Sequence, residues 1–411
     1  MTHILESITQ DDAPHQSAAL ARLADQPSDT STLKPLYVAR PLLPALQDLS
    51  LLLGEIWESG IVTNEGPLHN RLEAELAQTL QVPVAKLFNN GTIALQCALM
   101  CLNLPAGSEV ITTPLTFAAT AHAISACGLK PVFADVCAQT LTLDPASVAR
   151  AITPQTSAVI GVHVYGTLCD HTGLRDLCDA HGLRLVFDAA HAFAARDGAV
   201  SVASMGDLSV FSLHATKLFN TFEGGLITSS DPDMAQRLRL VRNFGIVSEE
   251  AVSMVGINGK MSEVNAAIGL LNLKTFEAER SLRRDLRARY DAMIEGIDGV
   301  QPQVRQAGVT QSEQYYMITV DPQVYGATRD AIYAQLKEHQ IYARRYFWPI
   351  CTDFDCYKGA TIHSIHDTPV VERIKDRVLC LPFHSGVETA HVETIGRVMH
   401  TLARSHRPKI G

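Results

Sequence analysis

From Leu36 to Phe244, short apolar runs rich in β-formers alternate with stretches whose apolar residues recur at helical spacing. The runs are Glu109–Thr112, Pro131–Ala134, Thr156–His163, Arg184–Phe187, Leu208–Ser212 and Gly225–Thr228. Between them lie TIALQCALMCLNL, TFAATAHAISACG, DPASVARAI and TGLRDLCDAHG. Such alternation restricts the chain to βαβ units, in which crossover helices join parallel strands. The runs are apolar throughout, as strands covered on both faces must be. The expected fold class is α/β, a mainly parallel sheet between helices.

The 411 residues allow two or three lobes at roughly 150 residues each. Residues 1–33 carry no hydrophobic period and read as a mobile N-terminal extension, with one short helix at Ala18–Ala24. Residues 34–244 form the expected large α/β domain. From residue 245 to 411 the texture changes to a smaller α+β domain. It opens with a long helical stretch, MSEVNAAIGLLNLKTFEAERSLRRDLRARYDAMIEGI. After it come a strand (YYMITV), a helix (TRDAIYAQLKEHQ), an aromatic loop (RRYFWPI), a strand (VLCLP) and a last helix near VETIGRVMHTLARS.

The net charge of −9 argues against a nucleic-acid partner or an anionic membrane surface, both of which require excess Lys and Arg. No stretch approaches the ~18 uninterrupted apolar residues of a membrane span. MTHILESITQDD lacks the basic and apolar regions of a secretory signal, so a cytoplasmic location is expected. Nine scattered Cys and 16 His show no ligand spacing; reduced thiols and no metal are expected.

Three segments carry chemistry. Asn89-Asn90-Gly91-Thr92 follows the apolar run Val84–Phe88 and opens a helical pattern. A glycine there admits close approach, and the free amides of a helix start bind phosphate; Thr92 reads equally as a plain helix cap. LRLVFDAAHAF ends a strand at Asp188, where open α/β sheets bind ligands. His191 then either faces the same pocket or packs in a loop. In DLSVFSLHATKLFNTFEGG, Ser212 ends a strand, and Lys217 lies between that strand and Gly224-Gly225 with no acidic residue within five positions. Those surroundings can desolvate an amine and lower its pKa, as a Schiff-base lysine requires.

In this order, a phosphate cradle, an Asp and a Lys describe a pyridoxal 5'-phosphate site. Lys217 would hold the cofactor aldehyde, and Asp188 would keep the pyridine nitrogen protonated. Gly91, Thr92 and Ser212 would hold the phosphate. Phe117 is the aromatic candidate to cover the ring, unless it is simple core packing. Arg344 and Arg345, beside Tyr346, Phe347 and Trp348, suit a diphosphate and a base or sugar, or else form a surface pair beside a core. Lys260 is a further cation. His163 and Tyr165, at a strand end, are candidates for the pocket border.

NNGTIAL, TTPLTFAATAHAI, GLKPVFADV, VHVYG, FDAAHAF, FSLHATK, EGG, RNFG and GKMSEVNAAIG together resemble the nucleotide-sugar aminotransferases of the DegT family, over about residues 36–400. The resemblance implies the fold type I architecture of pyridoxal phosphate enzymes, with a seven-stranded sheet. It implies Lys217 as the Schiff-base lysine, Asp188 as the pyridinium partner, Gly91, Thr92 and Ser212 at the phosphate, and Phe117 stacked on the ring. Asn243, in RNFG, matches an Asn that reaches the phosphate from the neighbouring subunit, implying a homodimer with composite active sites. Sugar dehydratases of the family carry His in place of Lys217, so the lysine implies amino transfer. Asn90 departs from the Ser of many members.

HATKLFNTFEGG and IYARRYFWP are most similar to the branch that makes dTDP-4-amino-4,6-dideoxy-D-glucose from the 4-keto sugar. The implied cycle moves an amino group from L-glutamate to the cofactor, as pyridoxamine 5'-phosphate, and then to the sugar. The alternatives are a GDP- or UDP-linked 4-keto sugar, a 3-keto dTDP sugar, or a non-catalytic regulatory protein of the same fold.

Overall fold

The computed structural model describes residues 34–358 and 368–405. The expected helix at Ala18–Ala24 lies outside the described residues. The central sheet has seven strands: β1 (Val84–Phe88), β2 (Glu109–Thr112), β3 (Lys130–Phe133), β4 (Thr156–Val162), β5 (Arg184–Asp188), β6 (Leu208–Ser212) and β7 (Gly225–Ser229). Their order is β1-β7-β6-β5-β4-β2-β3. Every neighbouring pair is parallel except those of β7, which runs antiparallel to both β1 and β6.

The reversal of β7 has a local cause. The residues between Ser212 and Gly225 form turns and no helix, so no crossover carries the chain back to the other end of the sheet and β7 returns antiparallel. The consequence is a register in which Gly225, the first residue of β7, pairs with Phe88 at the end of β1 and with Ser212 at the end of β6. Next to β6, Asp188 pairs with Val210. The ends of β1, β5 and β6 and the start of β7 thus meet on one edge, which is where the three chemical segments emerge.

Helix α1 (Gly91–Cys101) starts at this edge. Its N-cap is Asn90, whose side chain accepts from the Ile93 amide at 2.8 Å. Thr92 therefore lies inside the first turn and is not the cap. One apolar cluster fills the sheet face against Leu68, Leu72 and Leu76 of helix Pro67–Leu80 and Ala266, Ala267 and Leu270 of helix Glu263–Leu273. On the opposite face Phe88, Val110, Ile160, Val186 and Val210 pack under α1.

The single long helix expected at 261–297 is two helices, Glu263–Leu273 and Phe276–Ile294. At the break, the Thr275 amide and hydroxyl both bond the Asn272 carbonyl, and the Lys274 amide bonds that of Leu271. A threonine hydroxyl that competes for a nearby carbonyl ends regular helix pairing. The Asn272 side chain is meanwhile drawn to the Leu42 and Asn220 carbonyls. The second helix packs with Tyr316, Ile318 and Leu379 around a small antiparallel sheet of Val300–Pro302, Tyr316–Val320 and Val378–Leu381. No described helix is long and apolar enough to cross a membrane.

A buried ionic cluster ties the β1 side of the fold together. Arg242 is 1% exposed. It donates to Glu73 Oε1, to the Leu87 carbonyl at 2.8 Å and to Glu65 Oε1 at 2.8 Å. Glu73 also accepts from the Leu87 amide and from Lys86 Nζ. Burial would raise the Glu65 carboxyl, but Arg242 and Arg239 outweigh it and hold the group at about 2. Removing one partner of a buried pair leaves a charge unpaired, at about 3–5 kcal/mol. Glu73→Ala should lower stability by about that amount, measured by denaturant unfolding, and added salt should not restore it.

Candidate active site

The polar edge of the sheet opens into a cavity of about 350 Å³. Gly91, Thr92, Phe117, Asp188, His191, Ser212, Lys217, Arg344 and Tyr346 all line it. At the floor, Asp188 is buried. Its carboxylate accepts from the Thr120 hydroxyl at 2.7 Å and the Ala190 amide at 3.1 Å. Burial raises its pKa above the ordinary carboxylate value; Thr120, Ala190 and the charge on Lys217 pull the other way. A cationic N–H set against this carboxylate would add the counter-charge that it lacks in the dry floor.

Lys217 follows a turn in which its amide bonds the His214 carbonyl at 2.8 Å. Its amine sits 6.0 Å from the centroid of the Tyr315 ring. Burial lowers the ammonium pKa to about 8, against the opposing pull of Asp188. About a tenth of the amine is therefore neutral at neutral pH, far more than for an ordinary lysine, and that is the state in which it attacks an aldehyde.

His191 is buried, stacked on Phe347 at 5.6 Å and edge-on to Tyr315 at 5.0 Å. Burial and Lys217 push it well below the usual histidine value, so it is neutral. Its Nδ1 has no partner among the described residues. A buried orphan polar atom beside an acidic floor implies a ligand that completes it.

The end of the cavity at the start of α1 is built by the register of β1, β7 and β6. Asn90 caps the Ile93 amide and its carbonyl takes the Ala94 amide. The amides of Gly91 and Thr92 keep no protein acceptor among the described residues. A Cβ on Gly91 would lie 3.0 Å from Ser212 Cβ, and one on Gly225 would collide with the Asn90 carbonyl. Both positions need glycine for close packing of the cradle. Across the cavity Phe117 is 60% exposed, so it is not core packing; its ring stands 6.3 Å from Phe347.

Five expected residues lie elsewhere. His163 is fully buried behind the wall, stacked on Phe187 at 4.7 Å, with Nδ1 accepting from the Cys169 amide. Burial lowers it to about 3. Tyr165 is buried too; it donates to the Tyr346 carbonyl at 2.6 Å and stacks on Phe347. Both support the wall without facing the cavity. Arg345 pairs with Asp330 at 3.0 Å and is stacked against Tyr333 and Trp348 at 4.7 and 4.6 Å. It borders an adjoining groove that shares Arg344, Tyr346, Phe347 and Phe117 with the cavity. Asn243 and Lys260 hold one another at 3.0 Å, beside exposed Phe244. Neither lines the cavity of its own chain.

Sequence reasoning missed Thr120, Tyr315 and Gln314. Thr120 lies in TFAAT, one turn after Phe117, and carries no signal until the helix faces Asp188. Tyr315 and Gln314 come from far along the chain, at what reads as an ordinary strand start.

The sequence profile of the DegT/DnrJ/EryC1/StrS aminotransferases matches residues 47–401. The chain belongs to this family. Like other DegT/DnrJ/EryC1/StrS aminotransferases, it uses pyridoxal 5'-phosphate. It is 40% identical over 362 residues to a dTDP-4-amino-4,6-dideoxy-D-glucose transaminase of Shigella dysenteriae, covering 88% of this chain and 97% of that protein. A transaminase of the same name from Escherichia coli is 36% identical over 368 residues, 89% and 98% of the two chains. The solved structure of DesI in the presence of its TDP-sugar product superposes with a TM-score of 0.86 at 36% identity, covering 91% of this chain and 94% of that one.

The residues of this DegT/DnrJ/EryC1/StrS aminotransferase fit the cofactor: free amides for a phosphate, a buried carboxylate for a ring nitrogen, and a desolvated lysine. Cofactor uptake by the apo-protein should accelerate through a midpoint near pH 8, as Lys217 loses its proton. Asp188→Asn removes the charge that favours the ammonium, so the midpoint should move to lower pH. Stopped-flow absorption across pH checks both. Gly225→Ala should weaken cofactor binding about tenfold, corresponding to a loss of ~1.4 kcal/mol, measured by equilibrium dialysis.

Proposed function

We propose that this aminotransferase moves the amino group of L-glutamate to C4 of dTDP-4-keto-6-deoxy-D-glucose, giving dTDP-4-amino-4,6-dideoxy-D-glucose. The observation that carries the reading is the Asp188–Lys217 pair at the floor of the cavity. Near-complete coverage of two transaminases named for this product supports the choice of sugar.

Bound here, the cofactor supplies an electron-withdrawing ring that lets a proton leave the carbon bearing the amino group. The protein does the rest. The amides of Gly91 and Thr92 and the hydroxyl of Ser212 hold the phosphate at the helix start. Asp188, fixed by Thr120, holds the proton on the ring nitrogen. Lys217 would hold the cofactor through its aldehyde carbon, and its amine, when free, would carry the proton as general base and acid. Its low pKa keeps it available for that transfer. Phe117 covers one ring face and excludes water, and His191 offers its unpartnered Nδ1 to the bound group.

The sugar nucleotide enters past Arg344, which lines both the cavity and the adjoining groove. Arg344 has no carboxylate partner among the described residues, whereas Arg345 is taken by Asp330. Asn243 and Lys260, which miss their own cavity, are assigned to the cavity of a partner subunit in a homodimer. That reading makes each site composite and accounts for a polar pair set beside exposed Phe244, Ile246 and Val247. The reaction is placed in the cytoplasm, in the supply of amino sugars for a surface glycan or O-antigen.

Purified protein should convert the dTDP 4-keto sugar with glutamate and be at least about a hundredfold slower on GDP- and UDP-linked keto sugars, a difference of ~2.7 kcal/mol. Faster turnover of a GDP-linked sugar would reassign the substrate. Lys217→Ala should abolish turnover. Mixing inactive Lys217→Ala with impaired Asn243→Asp should restore activity, since one site in each mixed dimer carries neither change. Failure to complement would assign Asn243 to its own subunit.

A further inference from the structure

One polar segment of the small lobe reaches both halves of the cofactor site. Ser312 donates to the His191 carbonyl at 2.6 Å. The side chain of Gln314, which is buried, does more. Its Oε1 accepts from the Leu218 amide at 2.7 Å, and its Nε2 donates to the Thr216 carbonyl at 3.2 Å. These are the groups on either side of Lys217. A side-chain amide has one acceptor and one donor in fixed planar relation, so it pairs with a backbone as a neighbouring strand would. Tyr315, the next residue, presents its ring to the Lys217 amine.

The segment is itself anchored by buried charge. Arg283, held by Glu279 at 2.8 Å, donates to the Glu313 carbonyl at 3.3 Å. Arg287 donates to the Glu313 carboxylate at 2.6 Å and to the Tyr315 carbonyl at 2.8 Å. Both arginines lie on helix Phe276–Ile294 and are almost fully buried. Gln314 is thus fixed from behind and has little freedom to follow a wandering loop.

We propose that Gln314 is a positioning residue for Lys217, gripping the backbone on both sides of that lysine and fixing the direction in which its amine enters the cavity. The proposal rests on Lys217 being the lysine that holds the cofactor. Nothing about Gln314 touches the reacting atoms. It acts through the peptide groups of residues 216–218, so the small lobe sets the aim of a large-lobe side chain. The titratable groups facing the amine are Asp188, His191 and Tyr315; the Glu313 carboxylate turns away to Arg287.

The test uses two variants of the full-length protein. Gln314→Met keeps the volume and loses both bonds. Gln314→Glu keeps the acceptor, but its ionised form has no hydrogen for the Thr216 carbonyl. Two readouts are made: the pH midpoint of cofactor uptake, and kcat and KM for both substrates. In Gln314→Met the midpoint should rise above the wild-type value as the amine regains water. Its kcat should fall about tenfold or more, as misplacement of a reacting group implies, with both KM values changed less than about twofold. Gln314→Glu should show a larger rise in midpoint, because an anion is added near the ammonium. Wild-type midpoint and kcat in Gln314→Met overturn the proposal. So does a fall in activity fully accounted for by fewer cofactor-binding sites, with an unshifted midpoint. Should the Met variant not fold, kcat of Gln314→Glu decides: a fall of about tenfold or more with KM values changed less than about twofold supports the clamp, and a wild-type kcat overturns it. A wild-type protein that forms no absorption band with the cofactor overturns the assignment of Lys217 and the clamp with it. A normal wild-type band with an unshifted Gln314→Met profile overturns the clamp alone.

Discussion

Gly225 pairs with Phe88 on one side and Ser212 on the other, and the geometry of the site follows from this one register. It places the start of helix Gly91–Cys101 against the end of β6, so close that Gly91 and Gly225 have no room for a side chain. The helix amides, the Ser212 hydroxyl and, one strand over, Asp188 then share an edge. A slip of β7 by one residue would turn its own side chains to the other face and put a residue with a Cβ where Gly225 meets Asn90. The antiparallel strand is thus the device that brings the helix start, Ser212 and the Asp188 floor onto one level.

The strand and helix pattern of the large lobe was legible because buried parallel strands are apolar without interruption, and six expected strands agree with the structure to within one residue at each end. The chemical segments were legible because strand ends, Gly pairs and isolated polar residues stand out against apolar runs. Asp188 and Lys217 are the clearest cases. What the sequence leaves out is three-dimensional. Nothing local tells Arg344 from Arg345, yet Asp330, Tyr333 and Trp348 occupy one and leave the other facing the cavity. The positions of His163 and Tyr165 at a strand end suggested a pocket border, but the chain turns so that their rings pack against Phe187 and Phe347. The single long helix failed at Thr275, where periodicity continues but a hydroxyl interrupts the backbone bonds.

Buried charge recurs in this molecule in two structural roles. Around Arg242 it joins helix Pro67–Leu80 to β1, and around Arg283 and Arg287 it holds the segment that leads into the small sheet. In each case every charge has partners, which offsets the cost of removing it from water. The lysine in the cavity is the contrast. Its one nearby anion does not compensate for burial, and the resulting shift leaves more of its amine neutral. The same physics of burial gives stability where partners are complete and reactivity where they are not.

The pairing of Arg345 with Asp330 has a consequence for encounter. It offsets one of two adjacent positive charges at the groove, so among the described residues Arg344 is left without a carboxylate partner there, on a chain of net charge −9. A dianionic sugar nucleotide approaching from a distance meets a repulsive overall field, screened within ~8 Å at physiological salt. Long-range steering therefore contributes little to capture, and added salt should speed association slightly or leave it unchanged. Recognition is deferred to the last few ångströms, where one free arginine and a shelf of aromatic rings meet the ligand.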